Sequence, residues 1–139
     1  MNTFKPKIII VDDNRTFLRS LKFHLKITLG YEIINSATNG IEFLALNNIH
    51  YADIILMDIE MPGLNGIAAA KKALSFNNYL KIIAITDYQD KVYLQELIEH
   101  GFKGCVFKKN LINEIEVAIK NVIDNKIYFP VDIEINKIE

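Results

Sequence analysis

The sequence predicts an α/β domain: a five-stranded parallel sheet, doubly wound, with helices on both faces. Three observations carry this. Short unbroken apolar runs recur along the chain, among them KIIIV at Lys7–Val11 and IILM at Ile54–Met57. Each is too short for a helix and has the composition of a strand buried on both faces. Between them lie segments with apolar residues at three- and four-residue spacing, the pattern of amphipathic helices. Each run also ends in polar residues or chain breakers, where a strand must give way to a loop.

In order, Lys7–Val11 leads directly into Asp12-Asp13. Asn14 is placed to cap a helix over about Arg15–Ile27, with Phe17, Leu18, Leu21 and Leu25 as its apolar stripe and Gly30 as its stop. Tyr31–Ala37 reads as a second strand. Asn39-Gly40 breaks the chain, and Ile41–Asn48 reads as a short helix with Ile41, Leu44 and Ala45 turned inward. The strand from Ile54 reaches Asp58, then Pro62-Gly63 and an alanine-rich helix over Leu64–Ser75. Asn77-Asn78 precede a fourth strand, Leu80–Ile85, ending in Thr86-Asp87. Lys91–His100 is helical, with Val92, Leu94, Leu97 and Ile98 apolar, and Gly101 closes it. Lys103–Phe107 is a fifth strand running into Lys108-Lys109. Asn110 is placed to cap a last helix striped by Leu111, Ile115, Ala118, Ile119 and Val122. The tail Ile127–Glu139 reads as a linker, an added strand or the start of a further segment. Alternation of this kind specifies parallel pairing through right-handed crossovers.

Size and charge narrow the function. At 139 residues the chain holds one domain, large enough for a core without disulfides or structural metal. A net charge of −1 leaves no electrostatic footprint for nucleic acid or an anionic membrane. No apolar run approaches a membrane span, and MNTFKPK has no hydrophobic signal region. The lone Cys105 excludes a disulfide framework and fits a reducing cytoplasm. His24, His50 and His100 lack ligand spacing and read as surface residues.

The chemistry gathers at the carboxyl ends of the strands, which in a parallel sheet all face one edge of the molecule, where ligands bind. The first strand delivers Asp12 and Asp13, the third Asp58, the fourth Thr86 and the fifth Lys108. Carboxylates crowded together repel unless a cation joins them, and an all-oxygen set with open positions suits Mg²⁺. Lys108 adds a mobile positive charge and Thr86 a hydroxyl donor, both suited to phosphoryl oxygens, and an Asp carboxylate can act as a phosphoryl-accepting nucleophile.

VDDN at Val11–Asn14, LMDIEMPGLNG at Leu56–Gly66, IIAIT at Ile82–Thr86 and GFKGCVFK at Gly101–Lys108 together resemble the receiver domain of a two-component response regulator, from about Lys7 to Phe129. The resemblance implies a flavodoxin-like, CheY-like sheet of strand order 2-1-3-4-5. It implies Asp58 as phospho-acceptor, supplied by a histidine kinase or histidine phosphotransfer protein. It implies Mg²⁺ on Asp13, Asp58 and the backbone carbonyl of Glu60, with Asp12 acting nearby through water. Thr86 and Lys108 would contact the phosphoryl group, and movement of Thr86 would switch the surface around the fourth helix and fifth strand. Such a protein promotes its own phosphorylation and is not a conventional enzyme.

Three departures from the family pattern stand out. Cys105 occupies the position of the usual switch aromatic and reads as a buried structural thiol. Asp87 stands where a small residue is usual, and a fourth carboxylate there would slow phosphorylation. Lys109 replaces the proline that often follows the lysine. With KGCVFKKN and INEIEVAIKNVIDNKIYFP, this last feature resembles receivers of LuxR-type helix-turn-helix regulators. On that reading residues 1–129 are the receiver, residues 130–139 a tail or truncated linker, and DNA is reached only through an output domain outside this chain. Glu60 and Tyr88 sit at positions that tune phosphoryl lifetime. A homodimer is an expected partner, a membrane is not.

Alternatives are a stand-alone phosphorelay component, a degenerate receiver acting as an interaction module, and an aspartate-nucleophile phosphatase. The last needs a second Asp two residues beyond the first, where this chain has Glu60. A flavodoxin needs a hydroxyl- and Gly-rich phosphate loop after the first strand, which is lacking here.

Overall fold

The computed structural model describes residues 4–130. Its strands are β1 (Lys7–Val11), β2 (Glu32–Ala37), β3 (Ile54–Asp58), β4 (Ile82–Thr86) and β5 (Gly104–Phe107). They form one parallel sheet in the order β2-β1-β3-β4-β5, the order the resemblance implies. The helices are α1 (Arg15–Phe23), α2 (Gly40–Leu44), α3 (Gly66–Phe76), α4 (Lys91–Glu99) and α5 (Leu111–Ile123).

Alternation along the buried strands divides the core into two layers. Ile8, Ile10, Ile54, Leu56, Ile83, Ile85 and Val106 face α1 and α5, where they meet Leu18, Leu21, Ile115 and Ile119. Ile9, Val11, Ile55, Met57, Ile82, Ala84 and Cys105 face the other way, against Phe43 of α2, Ala69, Ala70 and Ala73 of α3, and Leu94 and Leu97 of α4. The alanines of α3 let that helix lie close on the sheet. β3, at the centre, is buried along its whole length. Helices on both faces are what its uninterrupted apolar run requires.

Several boundaries differ from the sequence expectations for local reasons. α1 ends in a π turn, His24–Thr28, before Gly30 reverses the chain at φ 74°. α2 is a short helix of 5 residues. Phe43 faces its core, while Ile41 and Ala45, expected to point inward, are exposed and Leu44 is only partly buried. A ring on a one-turn helix fills the space that three aliphatic side chains were expected to fill. α3 begins at Gly66 because Asn65 caps it, accepting from the Ala68 N–H at 2.9 Å. In α4 the core is held by Leu94 and Leu97, whereas Val92 points to solvent. Asn110 does not cap α5 with its side chain: a 3-10 turn over Lys108–Asn110 leads into the helix instead, with the Leu111 N–H donating to the Lys108 carbonyl.

Part of the tail settles as an added edge pairing. The Tyr128 N–H donates to the Lys103 carbonyl at 3.0 Å, and the Cys105 N–H donates to the Tyr128 carbonyl at 2.8 Å, parallel to β5. Val131–Glu139 lie outside the described residues.

Gly66 fixes the route out of β3. A Cβ there would sit 2.2 Å from the Asp58 carbonyl oxygen and 2.7 Å from the Ile59 Cα, both backbone atoms. Gly66→Ala is therefore expected to cost about 1–3 kcal/mol of stability in urea unfolding, despite alanine's better helix propensity, and to displace the Asp58 main chain.

Candidate functional site

Asp58 is the last residue of β3 and is 3% exposed; Asp12, one residue beyond β1, is 1% exposed, and Asp13 beside it is open to solvent. One carboxylate oxygen from each lies within 4.8 Å of the other two. The β1–β3 pairing brings this about, since the two strands run side by side in register and release their ends at the same edge.

Lys108, just past β5, reaches into the cluster. Its Nζ stands 3.2 Å from Asp12 Oδ2 and 3.7 Å from Asp58 Oδ1. The ammonium also lies 4.4 Å from the ring centroid of Phe17 on α1, a cation–π contact that holds it over the carboxylates. Sequence reasoning placed Phe17 only in the apolar stripe of that helix. Its ring does both, because an aromatic edge of the core is also the wall of the site.

Thr86 ends β4, fully buried, its Oγ1 accepting from the Tyr88 N–H at 3.1 Å. Asp12 Oδ1 accepts from the Asn14 N–H at 2.8 Å, tying the first loop down. Glu60 is exposed and its N–H lies 3.4 Å from Asp58 Oδ1, a long contact. Asp87 and Tyr88 are exposed on the rim. The Glu60 carboxylate opposite the Tyr88 hydroxyl pushes that phenol's pKa up. Asp12, Asp13, Asp58 and Lys108 thus share one site, with Thr86 at the end of the strand beside β3 and Glu60, Asp87 and Tyr88 exposed. Cys105 stands apart, fully buried beneath it. Burial, then the Glu114 carboxylate, push its thiol up to about 12, so it is the inert structural thiol expected from sequence.

The electrostatics carry the cost of crowding. Burial, then the charge of Asp12, lift the Asp58 carboxyl from an ordinary 3.8 to about 7; Lys108 opposes and Asp13 adds. Burial also raises Asp12, against the Asn14 N–H and Lys108. Burial alone would lower Lys108, but Asp12 and Asp58 outweigh it and its pKa rises. The ion pair with Asp12 is out of hydrogen-bonding geometry, so Asp12 Oδ2 is buried without a hydrogen-bond partner. A buried carboxylate oxygen whose near partner is a single ammonium, in an all-oxygen set, fits a hard divalent cation.

Residues 8–120 match the family described as response regulator receiver domain. The chain belongs to the response regulator receiver family. Receiver domains bind Mg²⁺ at an acidic pocket, and the aspartate cluster is of that kind. Among curated relatives, the receiver is 26% identical to the transcriptional regulatory protein DegU of Brevibacillus brevis, over 92% of this chain and 54% of DegU. It is 32% identical to the transcriptional regulatory protein DesR of Bacillus subtilis (strain 168), over 88% of this chain and 61% of DesR. The chain therefore spans about half the length of the curated relatives it matches. A crystal structure of a LuxR-family two-component response regulator from Aurantimonas sp. SI85-9A1 has the same fold, with a TM-score of 0.86 at 24% identity over 94% of this chain and 93% of that one. Among the described residues of the receiver, no helix is long and apolar enough to cross a membrane.

The raised Asp58 carboxyl sets a pH dependence. Folding without metal takes up a proton between the ordinary 3.8 and about 7, and that contribution to stability is lost as pH rises through this window. Asp12 acts in the same sense. The metal-free receiver is expected to show a urea midpoint that falls from about pH 4 to about pH 7.5. The slope should be much shallower in Asp58→Asn and flattened by millimolar Mg²⁺.

Proposed function

We propose that this receiver is a phospho-accepting signalling switch, with Asp58 taking a phosphoryl group from a histidine kinase or histidine phosphotransfer protein in the cytoplasm. The observation that carries the reading is the joining of three carboxylates within 4.8 Å by an ammonium 3.2 Å and 3.7 Å from two of them, at the carboxyl edge of a parallel sheet. A structural ion pair needs one carboxylate. Three with a lysine make a place where negative charge is to be gathered and offset.

In this reading an ionised Asp58 oxygen attacks phosphorus. The new O–P bond forms an acyl phosphate as the bond to the donor breaks, and the donor leaves with that electron pair. Lys108 follows the transferring oxygens, and the Thr86 hydroxyl donates to one of them. Asp13, Asp58 and the Glu60 carbonyl, with Asp12 nearby, would hold Mg²⁺, which when bound would supply charge neutralisation and favour the ionised form of Asp58. Phe17 keeps Lys108 aimed into the site. The switch so formed is not a conventional enzyme.

The likeness to longer transcriptional regulators, of which the match covers 54% and 61%, supports an output role. On this reading, residues 1–129 form the regulatory part and residues 130–139 the start of a linker to a DNA-binding domain. A second copy of the chain is the other expected partner. The stand-alone reading differs only in ending the protein at the tail, and the length of the natural reading frame decides between them.

Incubated with acetyl phosphate and Mg²⁺, the protein is expected to gain the mass of one phosphoryl group. Chelation and Asp58→Asn should each abolish the gain; a label that persists in Asp58→Asn overturns the assignment. Asp87 is exposed, and its charge reaches Lys108. Asp87→Ala should therefore raise the initial rate with acetyl phosphate, by about three-fold at low salt and less at high salt, where exposed charges are screened. An unchanged rate at low salt would remove Asp87 from the account.

A further inference from the structure

A trough of about 510 Å³ runs between the end of α1 and β2. Half-buried Ile33 and Ile34 give it an apolar floor, the exposed Phe23 and Ile27 add apolar surface, and Lys22 and Lys26 line it with positive charge. No acidic side chain lines it. From Asn14 to Tyr31 the chain carries Arg15, Arg19, Lys22 and Lys26 and no Asp or Glu. Among the described residues, neither Lys22 nor Lys26 forms an ion pair. In a chain of net charge −1, this face is a local excess of positive charge. An apolar cleft bordered by unpaired ammonium groups is complementary to an acidic segment with an apolar side.

β2 is an outer strand, but two of its main-chain groups are already taken by asparagine side chains. Asn48 Nδ2 donates to the Ile34 carbonyl at 3.3 Å, and the Ser36 N–H donates to Asn35 Oδ1 at 2.9 Å. A segment seated here is therefore held by its side chains rather than by extending the sheet.

The chain itself contains such a segment. Beyond Pro130, outside the described residues, the sequence alternates Val131, Ile133 and Ile135 with Asp132 and Glu134. In extended backbone the three aliphatic side chains share one side and the two carboxylates the other. The place where the described chain ends decides whose trough is filled. Tyr128 pairs with Gly104 at the β5 edge, and a continuation in that register exhausts β5 at residue 131. β2 is the opposite edge of the sheet, four strand spacings or roughly 19 Å away even in a straight line. Five extended residues reach about 17 Å, and the path must also go round a layer of helices. A chain's own residues 131–135 fall short of its own trough; those of a second copy do not.

We infer that residues 131–135 of one copy dock in the α1–β2 trough of a second copy, with the aliphatic side chains on Ile27, Ile33 and Ile34 and the carboxylates paired with Lys22 and Lys26. Lysine stems lie along apolar surface and carry the ammonium over what is bound there. The contact is small, so it forms and dissolves with concentration. It is independent of phosphotransfer at Asp58.

Sedimentation equilibrium of the 139-residue chain, without phosphodonor, should give a weight-average mass that rises with concentration. The methyl NMR signals of Ile27, Ile33 and Ile34 should shift along the same curve. Lys22→Glu with Lys26→Glu should weaken the association about ten-fold at low salt, because two attractions become two repulsions. Asp132→Lys with Glu134→Lys should weaken it equally. An equimolar mixture of these two double variants should associate where neither does alone, and the chain with all four changes should recover to within about two-fold of the unaltered one. A mass that stays monomeric up to about 1 mM overturns the inference. So do methyl signals that ignore concentration, an association indifferent to the double variants, or a mixture that stays apart.

Discussion

The crowding of negative charge at the end of β3 is the constraint on which the rest of this receiver depends. Three carboxylates and one ammonium occupy a volume a few ångströms across. Two of the acids are almost completely buried, so water screens them little. In the absence of a cation the cheapest remedy is a proton on Asp58, which is what its raised pKa records. A carboxyl protonated near neutrality is a poor nucleophile. Under the proposed function, a divalent ion bound by these acids would displace that proton and restore the nucleophile.

Such a cluster persists only on a rigid support. The parallel sheet provides it through order alone: β1, β3 and β4 lie side by side, so their ends release Asp12, Asp58 and Thr86 within reach of one another. Two apolar layers clamp the strands from either face. Gly66 then carries the chain back so closely over Asp58 that no side chain fits. The rim is different. Residues 87–90 between β4 and α4 and the first two residues of α4 are exposed, and the helix is anchored chiefly through Leu94 and Leu97. Movement is cheapest where the fewest side chains are buried, which puts it beside Thr86 and Tyr88 rather than beneath Asp58.

Much of this was legible in the sequence because the signals were periodic or punctuated. Buried parallel strands leave unbroken apolar runs, and those runs gave the sheet and, through their ends, Asp12, Asp13, Asp58, Thr86 and Lys108. The features that were missed depend on contacts that no spacing encodes. In α2 one turn of helix has too few residues to define a stripe, so Phe43 rather than Ile41 or Ala45 meets the core. Asn110 has the composition of a cap but lies in a 3-10 turn that takes its place. Phe17 reads as part of the apolar stripe of α1, and its second role appears only when Lys108, distant in sequence, is set beside it.

The tail is the most instructive of these. Its weak alternation left a linker, an added strand or the start of a further segment open, and the described part of it pairs with β5. That pairing covers backbone groups of an edge strand that would otherwise be available to another chain. It also ties Tyr128 to the strand that delivers Lys108. The Cys105 N–H is held by the Tyr128 carbonyl, and the Tyr128 hydroxyl donates to Glu114 on α5 at 3.0 Å. Tyr128 and Phe129 lie against opposite core layers, one on each side of the β5 edge. A small side chain at position 105 suits this arrangement, since the strand is gripped from its edge by main-chain bonds and from its face by Tyr93. Tyr128 is thus bonded to the strand whose far end is followed by Lys108, the charge facing Asp58.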